Sequence, residues 1–348
     1  MDKLNNLESK KILAVVLCWN NKDIIKSCVD SLLSQTEKPE ILVVDNGSSD
    51  GSYQFLEKEY GTKIKLVKNP KNIGFAGGAN IGFNWAKENG FDYVALLNSD
   101  ALADSRWLAE LKLNFTDSKV GISTSKILKL DGKGVDTTGE ELYYWGIASP
   151  RGRGEIDSGQ YDKKEEVFGG SGGASMYRMK MIEDVGMFDE DFFAYCEDVD
   201  LSFRSRLFGW MVMYNPKATV RHAIGASSSK ISGLTVRMSI KNQPMLLIKN
   251  IPLRYLPGVL VRYFALWSGA IISGFKTGNG RQVTLGVLKF MVLIPKKNVQ
   301  RLKIQHKRRS RGVRSSDVRM LLKPGFPEET KNYLTVKIAK KIIFWDKS

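Results

Sequence analysis

From residue 12 to residue 123 the chain alternates short β-branched runs with stretches of helical period, and this alternation restricts the fold more than any other feature. The spacing predicts strands over 12–19, 41–44, 64–67, 93–97 and 120–123. Between them it predicts helices over 23–34, 52–60, 79–89 and 105–117. In the first helix Ile24/Ile25, Cys28/Val29 and Leu32/Leu33 recur every four residues and form one apolar face. The strands are continuously apolar, as strands buried on both faces are, so the expected fold is α/β with a mostly parallel, doubly covered, Rossmann-like sheet. Such sheets bind ligands beyond the carboxyl ends of their strands, where this chain carries its polar, Gly-rich turns.

Four of those turns have the makings of chemistry. Strand 41–44 runs into Asp45-Asn46-Gly47-Ser48-Ser49-Asp50-Gly51. A carboxylate at a strand end can accept from a base N–H or a ribose hydroxyl, although an ordinary Asn-Gly turn uses the same residues. Asn72, Gly74, Gly77, Gly78 and Asn80 lead into a helix. Glycines there let backbone N–H groups approach a diphosphate, and close helix–sheet packing is the other reason for them. Strand 93–97 ends in Asn98-Ser99-Asp100. Asp100 is placed to hold Mg2+ or Mn2+ together with substrate phosphates, or to cap the next helix. The fourth cluster, Asp189 to Asp200, sets Glu197 and Asp198 at a helix start. An ionised Asp198 there suits a general base for a sugar hydroxyl, while solvated capping acids would look the same. His222 and His306 are the only histidines.

In this order these residues resemble glycosyltransferase family 2, and its rhamnosyltransferase-like branch in particular. The resemblance runs over roughly residues 11–230, from Val15 to Asn20 through Asp45–Gly51, Asn72–Asn80, Asn98–Asp100, Gly172–Met176 and Gly186–Asp189 to Tyr195–Leu201 and His222. It implies a GT-A fold, an inverting mechanism and a divalent metal. Carried over, Asp45 is the nucleoside contact with Trp19 and Asn20 beside it. Asn46, Asn72, Gly74, Gly77, Asn80 and Asp100 complete the expected nucleotide-sugar site. Asp100 matches the metal-binding aspartate of the DXD motif, His222 the histidine that completes coordination in some relatives, and Asp198 the catalytic base. Gly172, Gly173, Glu197 and Arg204 fall on the expected acceptor side. The chain departs from the pattern at Asn98, which replaces the first acid of a full DXD, and at Trp19, where Tyr is commoner.

Charge divides the chain. Residues 201–327 hold 24 Lys and Arg against one acid, Asp317, whereas residues 1–200 hold 24 against 33 acids. The expected organisation is a catalytic domain over 1–225 and a basic, partly amphipathic helical region over 226–348. Residues 131–170, rich in Gly and charge, read as a long mobile surface segment. In the tail the apolar stretches 255–275 and 283–295 alternate with Arg and Lys, as helices lying in a membrane interface do, and Arg262 interrupts the one span of crossing length. An anionic membrane surface is therefore an expected partner, with a nucleotide-sugar donor (dTDP-rhamnose or a UDP-sugar) and a lipid-linked glycan acceptor. The polar N-terminus lacks a signal-peptide core, and Cys18, Cys28 and Cys196 are too scattered for a disulfide framework, so the expected address is the cytoplasmic face of the membrane. A pI of about 9.6 also raises nucleic-acid binding, but the basic charge is absent from the half that carries the site motifs, and no nucleic-acid partner is expected. A sugar-1-phosphate nucleotidyltransferase would need a Gly-rich loop near the N-terminus, where none stands.

Overall fold

The computed structural model describes residues 10–223 and 230–327. They form two compact units. The first runs to Glu140 and from Pro150 to Lys230; the second takes Glu141–Ser149 and the chain from Ile231 onward. The short segment 141–149, grouped by sequence with 1–225, thus belongs to the helical unit.

The first unit is built on one sheet. Its strands are β1 (Ile12–Cys18), β2 (Glu40–Asp45), β3 (Lys65–Lys68), β4 (Tyr93–Asn98), β5 (Ala101–Ala103), β6 (Val120–Lys129), β7 (Val135–Thr137), β10 (Glu165–Glu166), β11 (Ala174–Arg178) and β12 (Met211–His222), while β8 (Glu140–Leu142) and β9 (Ala148–Pro150) form a separate two-stranded sheet. The order is β10-β12-β6-β11-β4-β1-β2-β3, with β5 on β12 and β7 on β6. β3, β2, β1, β4, β6 and β12 point the same way, and β11 runs against them between β4 and β6. The carboxyl ends of β1, β2, β4 and β12 and the start of β11 consequently share one edge.

Helices cover the sheet: α1 (Lys22–Leu33), α2 (Ser52–Tyr60), α3 (Gly74–Glu88), α4 (Trp107–Lys112), α5 (Met179–Val185) and α6 (Glu197–Leu207). The four-residue recurrence in α1 is what it buries, Ile25, Cys28, Val29 and Leu32. Helix α3 lies so near β1 that a Cβ on Gly82 would stand 2.7 Å from Val15, and one on Gly78 would collide with Leu17. Glycine there is a packing requirement.

β12 runs on past a register shift between Asn215 and Thr219 and ends in His222. Two expectations change. The helix expected over 79–89 begins at Gly74. Residues 131–170 are not a mobile surface segment: they contain β7 to β10, and Val135, Asp136, Thr137, Thr138, Glu140 and Leu142 are buried. The β-branched residues around Asp136 pair with β6, and that pairing outweighs the local glycine content.

The second unit contains α7 (Leu234–Asn250), α8 (Leu256–Lys276), α9 (Gly280–Ser310) and α10 (Ser315–Met320). Met238, Leu246, Val259, Tyr263, Val283 and Phe290 are buried in it. Trp267 donates its indole N–H to the Ile240 carbonyl at 3.1 Å, and Trp145 from the 141–149 segment stacks near Phe326 with centroids 4.3 Å apart. Helix α9 passes through Pro295, which ended the expected apolar stretch, and joins it to the basic run in one 31-residue helix.

Candidate active site

The nucleoside end of the expected site lies where β1 and β2 finish, with Cys18 and Asp45 in register. Asp45 is 0% exposed; its Oδ1 accepts from the Ser48 backbone N–H at 3.0 Å. Its Oδ2 is buried and has no hydrogen-bond partner among the described residues. A buried carboxylate oxygen left unpaired costs about 1–3 kcal/mol or more, an expense that a base or ribose donor would relieve. Asn20, at φ 55°, closes the neighbouring turn: its N–H donates to Ser48 Oγ at 2.9 Å and its Oδ1 accepts from the Ser49 N–H at 2.7 Å. Trp19 is half-buried beside it. Lys230, which sequence reasoning passed over, donates to the Asn20 carbonyl and, at 2.8 Å, to Asn21 Oδ1, bringing a cation to this end.

The glycine-rich segment is engaged differently from expectation. The Ile73 N–H donates to Asn46 Oδ1 at 3.2 Å, the Gly74 N–H to Asn72 Oδ1 at 2.8 Å and the Ala76 N–H to the Phe193 carbonyl at 3.1 Å. The Gly74 N–H that a diphosphate cradle would have used is thus taken up inside the protein, and this helix start braces the scaffold. Gly74 has φ +82°, and a Cβ on it would collide with the Phe193 backbone. Asn46 spends its amide on Asn69, Asn72, Ile73 and Gly74. Asn80 donates to the Phe188 carbonyl and Glu190 Oε1 at 3.0 Å each, and accepts from the Phe188 N–H. Asn46 and Asn80, expected to touch the donor, are thus internal staples.

The expected metal ligands do meet. His222 Nε2 is 3.0 Å from Asp100 Oδ1, across the edge between β4 and β12. The amide of Asn98 stands 3.2 Å from the same nitrogen. Behind the ring, His222 Nδ1 is 2.8 Å from Asp136 Oδ2, a residue with no assigned role in the sequence reading; its only signal was a β-branched run in a glycine-rich stretch. Burial of the ring pulls the His222 pKa down, but hydrogen bonds to Asp100 and Asp136 outweigh it and raise it to about 9. Burial likewise pushes the Asp136 carboxyl up, and the bond to His222 with the Arg153 charge carries it below its ordinary value. Two ligands about 2.1 Å from an octahedral cation and at right angles stand about 3.0 Å apart, so the Asp100–His222 pair fits Mg2+ or Mn2+. Among the described residues no group of three His, Cys, Asp or Glu could hold a metal. A cation here would take its remaining oxygens from a donor diphosphate and water.

Asp198, in the first turn of α6, accepts the Gly172 N–H at 2.8 Å on Oδ2 and the Val199 N–H at 2.8 Å on Oδ1. Burial drives its pKa up from the ordinary carboxylate value and these N–H groups pull against it. Burial with two backbone N–H groups on the carboxylate sets Asp198 apart from the solvated capping acids that were the other reading of this stretch. The Gly173 carbonyl accepts the Asn98 N–H at 2.9 Å, so the 172–173 turn ties Asp198 to Asn98, whose amide stands beside His222. Glu197 is buried next to Asp198. Arg204 was expected on the acceptor side, but it is 5% exposed and bonds Asp200 and the carbonyls of Val185, Gly186 and Met187. It holds the turn before the acid cluster.

Comparison with known proteins agrees with this geometry. Residues 14–186 match the model of Glycosyl transferase family 2. A poly-β-1,6-N-acetyl-D-glucosamine synthase of Staphylococcus aureus is 25% identical over 218 residues, 62% of this chain and 50% of that protein, so the chain spans about half the length of this relative. A dTDP-rhamnosyl transferase of Shigella flexneri is 24% identical over 258 residues, 70% of this chain and 81% of that protein. A mannosyltransferase of Pyrobaculum calidifontis, solved in complex with GDP-Man and Mn2+, superposes with TM-score 0.51 at 15% identity, covering 89% of this chain and 88% of that one. The strand order, the strand-end acids and these likenesses agree: residues 14–186 are a glycosyltransferase family 2 domain on a GT-A-like fold.

Proposed function

We propose that this chain transfers a sugar from a nucleotide-diphosphate donor to a hydroxyl of a glycan acceptor in cell-surface glycan synthesis. The observation that carries the reading is Asp45, wholly buried at a strand end with one oxygen unpartnered, beside Trp19 and Asn20. Asp198, with its raised pKa, takes the proton from the acceptor hydroxyl. The oxygen attacks the anomeric carbon from the face opposite the diphosphate, that bond breaks, and the configuration inverts. Asp100 and His222 would hold a Mg2+ or Mn2+, which when bound neutralises charge on the nucleoside diphosphate. The donor is a deoxysugar nucleotide such as dTDP-rhamnose, or a UDP-sugar.

The acceptor is lipid-linked, and the tail keeps the protein peripheral or monotopic on an anionic membrane at its cytoplasmic face. Helix α8 has 21 residues, and an 18-residue stretch of it has a mean hydropathy of 1.4, enough to cross a membrane by length and composition; its Val261, Ile272 and Phe275 are exposed. Arg262 inside it would cost about 2.5–3.5 kcal/mol at the centre of a bilayer. On α9, Leu288, Met291, Val292, Val299 and Leu302 are exposed along one helical stripe, with exposed Lys289, Lys296 and Lys303 beside it at every seventh position. Apolar stripe and flanking lysines support an interfacial helix over a spanning one.

The test is thermal stabilisation by a panel of nucleotide sugars with and without Mn2+, followed by product analysis. A ligand at a hundred times its Kd adds about 2.7 kcal/mol. A Mn2+-dependent shift with one sugar nucleotide, and release of nucleoside diphosphate on adding acceptor, is the expected result. Release of pyrophosphate from a nucleotide and a sugar phosphate would mark a nucleotidyltransferase instead.

A further inference from the structure

Asp136 divides its carboxylate between two partners. Oδ2 takes the bond from His222 Nδ1 at 2.8 Å, and Oδ1 takes one from Arg153 Nη2, also at 2.8 Å. Arg153 Nε adds a 3.2 Å bond to the Asp136 carbonyl. The Asp136 side chain is 3% exposed and that of Arg153 is 41% exposed. A cation so open to water could pair with a surface acid; the burial of Asp136 serves the histidine.

The strands explain how these groups meet. β6 lies between β7 and β12, and Ile127 of β6 is in register with Thr137 on one side and Val220 on the other. The residue before Thr137 and the one two beyond Val220 are Asp136 and His222. A neutral imidazole carries its proton on one nitrogen only, and the bond made by that nitrogen decides which lone pair is left for a metal.

We propose that Asp136 is a positioning residue for His222: it holds the proton on Nδ1, so that Nε2 is the bare nitrogen offered beside Asp100 to the donor's cation. Arg153 keeps the carboxylate from turning away. The inference rests on the reading that this site takes a metal-bound nucleoside diphosphate.

Arg153 also dictates what Asp136→Asn does. The introduced amide keeps its oxygen toward the guanidinium and turns its NH2 to Nδ1. That nitrogen must then accept, and the ring proton moves to Nε2, where it excludes the cation.

Mn2+ is titrated into the full chain with UDP and, separately, with dTDP, and free Mn2+ is read by its electron paramagnetic resonance signal. D136N is expected to weaken Mn2+ by about 10–100-fold, the usual effect of losing such an outer partner, with uridine and thymidine bound as by the unaltered protein. Equal Mn2+ affinity in D136N overturns the inference alone, as does a parallel loss of nucleoside binding, which would mean general damage. If the unaltered chain takes up no Mn2+ with either nucleotide, the metal-dependent reading falls and the inference with it. A second measurement does not depend on that variant folding. The chain has two histidines, so H306Q leaves His222 alone in a 15N-histidine spectrum. With Mg2+ and the preferred nucleoside diphosphate bound, the proton is expected on Nδ1; a proton on Nε2 overturns the proposal.

Discussion

Gly172 donates its backbone N–H to Asp198 Oδ2 at 2.8 Å, binding the turn that opens β11 to the first turn of α6. One residue on, Gly173 accepts from the Asn98 N–H, and the Asn98 amide stands beside His222. The Asp198 carboxylate and the Asp100–His222 pair are therefore carried on a single short hydrogen-bonded path. A Cβ on Gly172 would stand 3.1 Å from Phe75 and 3.4 Å from the Asp198 Cβ, which leaves little room for any other residue at that turn.

Replacing Asp198 with Asn should lower turnover by ~10²–10⁴-fold while the donor still binds. The same change should remove a pH dependence of the melting temperature. A carboxyl whose folded pKa is raised contributes its stability below the unfolded value and loses it as pH rises through the folded one. The amide has no such titration, and with a single oxygen it keeps one of the two N–H bonds. Nucleoside diphosphate release, donor titration and a thermal melt check all three; near-normal turnover would take Asp198 out of the base role.

His222 predicts a decline of the same sign, at higher pH, in the metal-free protein. Its folded pKa of about 9 lies above the ordinary value of 6.5. The stabilisation is fully present below about pH 6.5 and is lost as pH rises through about 9. Urea unfolding from pH 6 to 10 should show this decline, and H222N should flatten it. An unchanged slope in H222N would detach the decline from this ring.

Asp45→Asn should weaken the donor by roughly 10–100-fold, since a hydrogen bond to a charged group is worth about 1.5–3 kcal/mol. Its melting temperature without ligand should not fall, because the oxygen removed has no partner among the described residues. Calorimetric titration with the free nucleoside separates this from any effect on phosphate or metal. Undiminished nucleoside binding would move the base contact elsewhere.

Arg204→Met should act on stability before activity. Breaking its buried pair with Asp200, 2.8 Å away, takes the guanidinium from a buried carboxylate and costs about 3–5 kcal/mol. A denaturant melt measures it. A stable variant with a raised acceptor KM would return Arg204 to the acceptor side.

Val292→Glu with Val299→Glu should reduce binding to vesicles containing anionic lipid, leaving nucleotide binding intact. Both side chains are more than half exposed on α9, at 78% and 55%. Binding of the unaltered chain should weaken with salt, since each basic residue near an anionic leaflet adds about 1 kcal/mol that salt screens. Sedimentation with neutral and anionic vesicles distinguishes the cases, and equal sedimentation of variant and parent would remove α9 from the membrane contact.

Much of the fold was legible because its cause is local. Continuous apolar runs at β1, β2 and β4 and the four-residue recurrence in α1 are properties of a few adjacent side chains. The acids at strand ends were legible for the same reason: where a parallel strand stops, its next residue reaches the ligand edge, so Asp45 and Asp100 could be marked without coordinates. Asp198 was marked by its place at a helix start.

Which polar residues face a ligand, and which only hold the scaffold, was a tertiary decision. Asn80 looked like a donor contact until Phe188, 108 residues away, was seen to take both ends of its amide. Asn46 and Arg204 were claimed in the same way by buried backbone groups that had to be paired. Asp136 went the other direction, from an unremarkable loop to the back of His222, because β6 brings two distant strands into register on either side of itself. Secondary structure follows from neighbours in the chain. A buried amide or carboxylate takes the role its hydrogen-bond partners leave open, and those partners are assembled only by the folded sheet.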